Sequence, residues 1–229
     1  MIEIIDLKKI YGSNTALSID KLKIDKNEFI GLVGNNGAGK TTLLSLILDL
    51  IKPTAGCVKS KSIKVSASND WKNYTGSFLN EGFLIPFLTP VEFLEFIGNL
   101  HGKNSADVSN FLNENVHFFD KDAFSNKYNR ELSSGNKNKI GILASFLSMP
   151  ELLILDEPFA NLDPSSQSWL KSKLKKLNSE GTTILISSHD LKHVTEVCSR
   201  IILLEGGHVI QDASTSSDTL VELERYFEV

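Results

Sequence analysis

Alternating apolar and polar residues open the chain. Ile2 and Ile4 flank Glu3, and Leu17, Ile19, Leu22 and Ile24 sit among polar neighbours, with Gly12-Ser13-Asn14 and Asp25-Lys26-Asn27 as breaks. This period of two predicts half-buried strands joined by tight turns. Phe29-Ile30-Gly31-Leu32-Val33 lacks any polar alternation and predicts a strand buried on both faces, as parallel sheets require. The period then changes. Leu43, Leu44, Ile47, Leu48 and Ile51 recur at helical spacing, which predicts a helix over 41–51 closed by Pro53 and Gly56. Strand-like segments follow around 63–65 and 77–79.

Between positions 78 and 124 the character shifts, because nine of the thirteen phenylalanines lie there among helical patterns such as Val91-Glu92-Phe93-Leu94-Glu95-Phe96-Ile97. A helical lobe with an aromatic core is expected. So small a lobe cannot hide every ring, so some rings should form an exposed contact patch. Further on, Leu152-Leu153-Ile154-Leu155 ends in Asp156-Glu157-Pro158, and 182–187 and 201–204 are further buried-strand candidates. A helix over 165–178 would turn Leu170, Leu174 and Leu177 inward and leave Lys171, Lys173, Lys175 and Lys176 on a solvated face. Residues 214–229 read as a polar link into a short terminal helix, about 217–228, with Leu220, Leu223 and Phe227 on one side. Strands alternating with helices predict an α/β layered fold. No repeat or low-complexity linker is visible, which favours two lobes of one domain.

Composition narrows the class. In 229 residues, 41% hydrophobic and 23% charged side chains describe a globular chain and exclude disorder, collagen and coiled coil. Twenty-four basic against 28 acidic residues leave a net charge of −4, which argues against a nucleic-acid partner. Cys57 and Cys198 are far apart and lack metal-ligand spacing, so they read as thiols in a reducing compartment, with the cytoplasm the expected place. The first residues lack a signal peptide's basic and apolar regions, and the greasiest stretch, 43–51, carries Ser45 and Asp49. It is far short of the ~20 residues that cross a bilayer.

Gly34-Asn35-Asn36-Gly37-Ala38-Gly39-Lys40-Thr41, followed by Thr42, matches G-x-x-x-x-G-K-[ST] between an expected buried strand and an expected amphipathic helix. Glycines let backbone N–H groups fold around phosphate oxygens, and the helix offers its positive end to the same anion. Lys40 would reach the β- and γ-phosphates of ATP, and the Thr41 hydroxyl would ligate magnesium. Asp156 ends an apolar strand, where ligands gather at the carboxyl edge of a parallel sheet, and would hold magnesium through water. Glu157 beside it would polarise water against the γ-phosphate.

With these motifs in order, the chain resembles the ATP-binding subunit of an ABC transporter over nearly its whole length. The resemblance implies a P-loop NTPase fold: a RecA-like α/β core, an N-terminal antiparallel β-subdomain and an inserted helical subdomain at about 77–145. Tyr11 in Lys9-Ile10-Tyr11-Gly12 matches the residue that stacks on adenine. Leu132-Ser133-Ser134-Gly135-Asn136 stands at the signature, where Ser133 and Gly135 would touch the γ-phosphate across a dimer. Asn161-Leu162-Asp163 looks like the D-loop, and His189 like the switch histidine, which would be catalytic beside Glu157. Two departures from the family pattern are plain. Ser134 and Asn136 replace a glycine and a glutamine, and Glu81 stands where a magnesium-associated glutamine is usual.

The implied partners are a second ATP-binding subunit, in a homo- or heterodimer, and a transmembrane permease that would hold the chain on the inner face of the membrane. The stretch 84–94 is similar to exporter-associated members. Two other readings stay open: a soluble ABC ATPase serving a protein assembly, and a slow-hydrolysing, ATP-gated interaction module.

Overall fold

The computed structural model describes residues 1–119 and 126–227. Residues 120–125, inside the expected helical lobe and including Phe124, and residues 228–229, at the end of the expected terminal helix, lie outside the described residues. The strands are β1 (Ile2–Tyr11), β2 (Asn14–Ile24), β3 (Phe29–Val33), β4 (Ala55–Ser60), β5 (Ile63–Lys64), β6 (Thr75–Phe78), β7 (Leu152–Leu155), β8 (Thr183–Ser188), β9 (Arg200–Glu205) and β10 (His208–Ser214). The helices are α1 (Lys40–Ile47), α2 (Pro90–Leu100), α3 (Ser105–Glu114), α4 (Ser134–Phe146), α5 (Pro164–Ser179), α6 (Leu191–Val197) and α7 (Thr219–Phe227).

Two sheets result. The N-terminal one is antiparallel and four-stranded, in the order β2-β1-β4-β5. The other has six strands in the order β10-β9-β3-β8-β7-β6, all parallel neighbours except the β9–β10 pair. The apolar run of β3 is explained by this position. Ile30 and Leu32 face α1 and the N-terminal sheet, packing with Leu17, Leu43 and Leu44. Phe29 and Val33 face the opposite layer with Val194 and Ile186. Gly31 has no room for a side chain, since a Cβ there would stand 1.8 Å from Val194 Cγ1.

Within 77–145 the helices α2, α3 and α4 pack on the β6 side of the large sheet. Thr89 and Glu92 cap α2 reciprocally with Pro90 in its first turn, and Asn104 and Asp107 do the same for α3. Phe93, Phe118 and Phe119 are buried, whereas Phe83, Phe87 and Phe96 remain 53%, 65% and 45% exposed. The aromatic surplus therefore does leave rings exposed.

Some boundaries differ from the sequence reading. α1 stops at Ile47 rather than at 51, because Leu48 leaves the helical region and Asp49 takes a left-handed φ of 49°. The strands expected at 63–65 and 77–79 are Ile63–Lys64 and Thr75–Phe78. β4 and β10 were not foreseen. β10 is an edge strand whose residues stay largely outside the core, so it carries no hydrophobic alternation. Ionic contacts hold it instead: the Arg200 guanidinium grips Asp212 through two bonds of 2.7 Å and Glu28 at 3.0 Å. That pairing raises the affinity of Arg200 for its proton.

Contact between α4 and β6 joins the helical elements to the sheet through Gly141, whose Cβ, if present, would lie 2.0 Å from the Phe78 ring. Gly141→Ala should therefore lower stability by about 1–3 kcal/mol through overpacking, against the small gain an alanine brings to a helix interior. Urea unfolding checks it, and a variant as stable as the parent would contradict this packing.

Candidate functional site

The loop between β3 and α1 is shaped by close approaches on three sides. Gly34 passes against the end of β9, where a Cβ would stand 2.3 Å from the Leu204 carbonyl oxygen. Gly39, with φ of 107°, lies against the Ala16 carbonyl of β2 and caps α1 without any side-chain hydrogen bond. Gly207 N donates to Ala38 O at 3.0 Å. The loop is thus wedged between the tips of both sheets. The first-turn N–H groups of α1 have no helical acceptor and open toward an anion.

A cavity of about 390 Å³ lies over this loop, lined by residues 35–42, by Asn14, Thr15 and Ala16 of β2, and by Glu157 and Gly206. Lys40 is buried and turns its ammonium onto the loop itself, donating to Gly34 O at 2.6 Å and Asn35 O at 3.4 Å. Its Nζ is 3.7 Å from Glu157 Oε1. The cation is held by its own loop and by one carboxylate.

Asp156 ends β7, and its carboxylate is satisfied by two hydroxyls. Thr41 donates to Oδ2 at 2.6 Å, and Ser187 at the end of β8 donates to Oδ1. Ser187 also accepts the Glu157 N–H at 2.9 Å. This fixes a backbone that the sequence resists, because Glu157 has φ of 47° and is followed by Pro158, which excludes the ordinary helical region for the residue before it. The turn aims the Glu157 side chain into the cavity wall. Its Oε2 meets His189 Nδ1 at 2.9 Å and the His189 N–H at 3.3 Å. His189 is itself exposed and reaches the cavity through Glu157.

Other residues singled out in the sequence lie elsewhere. Tyr11 stands at the exposed tip of β1 under the Lys9 ammonium, 4.7 Å from the ring centroid, and does not line the cavity. Ser133 caps α4, accepting from Asn136 N at 3.4 Å, and Gly135 abuts the Asn161 carbonyl, 2.4 Å from where a Cβ would be. Neither reaches the phosphate loop of its own chain. Glu81 opens a short 3₁₀ turn and pairs with Lys137 at 3.4 Å, also outside the cavity lining. Asp163 caps α5. Hydroxyls of Ser165 and Ser166, the Ser166 N–H and Lys139 hold its carboxyl far below the usual range.

Ser187 and the β2 residues 14–16 were missed by sequence reasoning. A serine pair closing the apolar strand beside the Asp156-Glu157 strand was the available signal for Ser187. The β2 residues carry none.

Fold and site together define a phosphate-loop ATPase with an antiparallel N-terminal sheet and a helical insertion. A family model described as ABC transporter matches residues 17–160, and the chain belongs to that family. It is an ATPase of the ABC type. It is 34% identical to the uncharacterized ABC transporter ATP-binding protein YhaQ of Bacillus subtilis, over 99% of this chain and 74% of that one. It is also 34% identical to the bacitracin transport ATP-binding protein BcrA of Enterococcus faecalis, over 94% and 70%. Among solved structures, the dimeric post-hydrolysis state of the ATP-binding cassette MJ0796 bound to ADP and Pi superposes with a TM-score of 0.84 at 26% identity, over 95% of this chain and all of that one.

Lys40→Ala should weaken ATP binding by about 10- to 100-fold, the range for loss of a hydrogen bond to a charged group. Titration with a fluorescent ATP analogue measures it, and unchanged affinity would contradict the role given to the loop.

Proposed function

We propose that this chain binds and hydrolyses ATP to drive an ABC exporter, working as one of two ATP-binding subunits on a transmembrane permease at the cytoplasmic face of the membrane. The observation that carries the hydrolytic part is the position of Glu157. Its carboxylate lines the phosphate-loop cavity, with one oxygen toward Lys40 and the other on His189. In the proposed reaction the backbone N–H groups of the loop and Lys40 bind the triphosphate. Glu157 accepts a hydrogen bond from the attacking water, and His189 orients that carboxylate. The water oxygen bonds to the γ-phosphorus, the bond to the β,γ-bridging oxygen breaks, and ADP and phosphate leave.

Magnesium, when bound, would neutralise charge on the phosphate oxygens. The donors fit it: the Thr41 hydroxyl and the Asp156 carboxylate are hard oxygens already 2.6 Å apart beside the loop. Thr41 and Asp156 would hold the ion, with phosphate and water completing its shell. Glu81 could join only by leaving Lys137. Tyr11 would stack on adenine. Ser133 and Gly135 would complete the phosphate site of a second copy, a reading supported by their absence from the lining of their own chain's cavity and by the dimeric neighbour. Export is favoured by the likeness to BcrA, which is named for bacitracin transport.

Glu157→Gln preserves shape and removes the base, so hydrolysis should fall by about 10²- to 10⁴-fold while ATP binding persists. Unhydrolysed ATP should then hold two chains together. Size-exclusion chromatography with magnesium and ATP should give a dimer, and with ADP a monomer. A monomer in both would contradict the symmetric pairing.

A further inference from the structure

β8 runs through the middle of the large sheet, between β3 and β7, and every one of its residues is buried. Its last two positions are nonetheless Ser187 and Ser188, 0% and 2% exposed. A buried hydroxyl must be hydrogen-bonded, and the partners of these two define what they do. Successive side chains of a strand point to opposite faces, so neighbouring serines can serve two different elements. Ser187 reaches across to β7, donating to Asp156 Oδ1 and accepting the Glu157 N–H at 2.9 Å. Ser188 reaches forward along its own chain and accepts the Asp190 N–H at 3.0 Å. That bond closes a turn with His189 at its apex. Asp190 accepts in its own right from Lys192 N at 3.0 Å as the cap of α6, which fixes the far side of the turn.

The two serine-held turns meet at the contact between Glu157 and His189, where Oε2 lies 2.9 Å from Nδ1 and 3.3 Å from the backbone N. The side chains that make this contact are 28% and 62% exposed, so core packing does not hold them together. Their meeting depends on the two backbones instead. Glu157 keeps a φ of 47°, a left-handed conformation that a residue with a side chain adopts only where the surroundings enforce it. The Ser187 hydroxyl supplies that enforcement to Glu157, and the Ser188 hydroxyl shapes the turn that carries His189.

We propose that Ser187 and Ser188 are positioning residues for ATP hydrolysis, which hold Glu157 and His189 in contact and so set the rate of the chemical step while ATP affinity stays with the phosphate loop. This role deepens the hydrolytic reading and rests on Glu157 as the group that accepts from the attacking water. Neither serine lines the phosphate-loop cavity, so each acts through another residue. The consequence for rate is large because a misplacement of about 1 Å in a reacting group can cost about 10²-fold.

The test compares the full chain with Ser187→Ala, Ser188→Ala, Glu157→Gln and the double variant Ser187→Ala/Glu157→Gln. Single-turnover hydrolysis of radiolabelled ATP gives the rate, and titration with a fluorescent ATP analogue in magnesium gives the affinity. Ser187→Ala should slow hydrolysis by about 10- to 100-fold. Ser188→Ala should slow it by about three- to tenfold, the worth of one hydrogen bond. Both should keep the parent's affinity within about twofold. Added to Glu157→Gln, Ser187→Ala should cost less than about twofold more, because a group that acts through Glu157 has nothing left to position. In nitrogen-15 spectra recorded without nucleotide, Ser187→Ala should move the Glu157 amide proton upfield through loss of its acceptor. An unchanged rate in either serine variant, with Glu157→Gln slow, overturns the role of that serine and leaves the hydrolytic reading standing. Glu157→Gln as fast as the parent overturns that reading and the positioning role with it. A full further loss in the double variant makes Ser187 merely structural, and an affinity that falls in step with the rate assigns it to the magnesium ligand Asp156; either overturns the role proposed. Should Ser187→Ala fail to fold, Ser188→Ala, which loses a single bond, and its double variant with Glu157→Gln carry the same test.

Discussion

A buried carboxylate must find donors, and the way Asp156 finds them arranges the whole edge of the sheet. Its two oxygens accept from Thr41 and from Ser187. Thr41 belongs to the first turn of α1, so the phosphate loop is tied to β7. Ser187 belongs to β8, so the next strand is tied in too. Because Ser187 also accepts from Glu157 N, one hydroxyl fixes the backbone of the carboxylate that faces the cavity. Three separate stretches of sequence are brought to one point by a group that could not be buried alone.

The turn that begins at Glu157 continues into the segment that supports α4. Asn138 Nδ2 donates to Ala160 O at 2.8 Å, Lys139 reaches Asp163 at 3.1 Å, and Gly135 lies against Asn161 O. Asn161 keeps a left-handed φ of 59°, which turns that carbonyl toward the helix start. The four residues that follow Glu157 thus lie against the start of α4.

How far the sequence discloses this depends on whether the signal is local. The phosphate loop is contiguous, and Gly34 and Gly39 are demanded by backbone approaches to β9 and β2, so its residues and its setting between strand and helix could both be read. Asp156 and Glu157 were legible because an apolar run ending in two acids is unusual. Ser187 was not singled out, because its role exists only once β7 and β8 lie side by side. β10 was hidden for a related reason: an edge strand held by the Arg200–Asp212 pair has no apolar face to show. The Phe surplus announced exposed rings, which Phe83, Phe87 and Phe96 are, but not which ones. Glu81 stands at the right place in the order of motifs, but its neighbour Lys137 depends on tertiary packing.

The dual task of Asp156, organising the edge and offering oxygen to magnesium, is the centre of this account. Isothermal titration of ATP with and without magnesium, on the parent chain and on Asp156→Asn, addresses it most directly. Asparagine keeps an acceptor for one hydroxyl and loses the charge. The account predicts that magnesium strengthens ATP binding to the parent by about tenfold or more, that Asp156→Asn loses this increment, and that its magnesium-free affinity stays near that of the parent. An undiminished magnesium increment in the variant would contradict it.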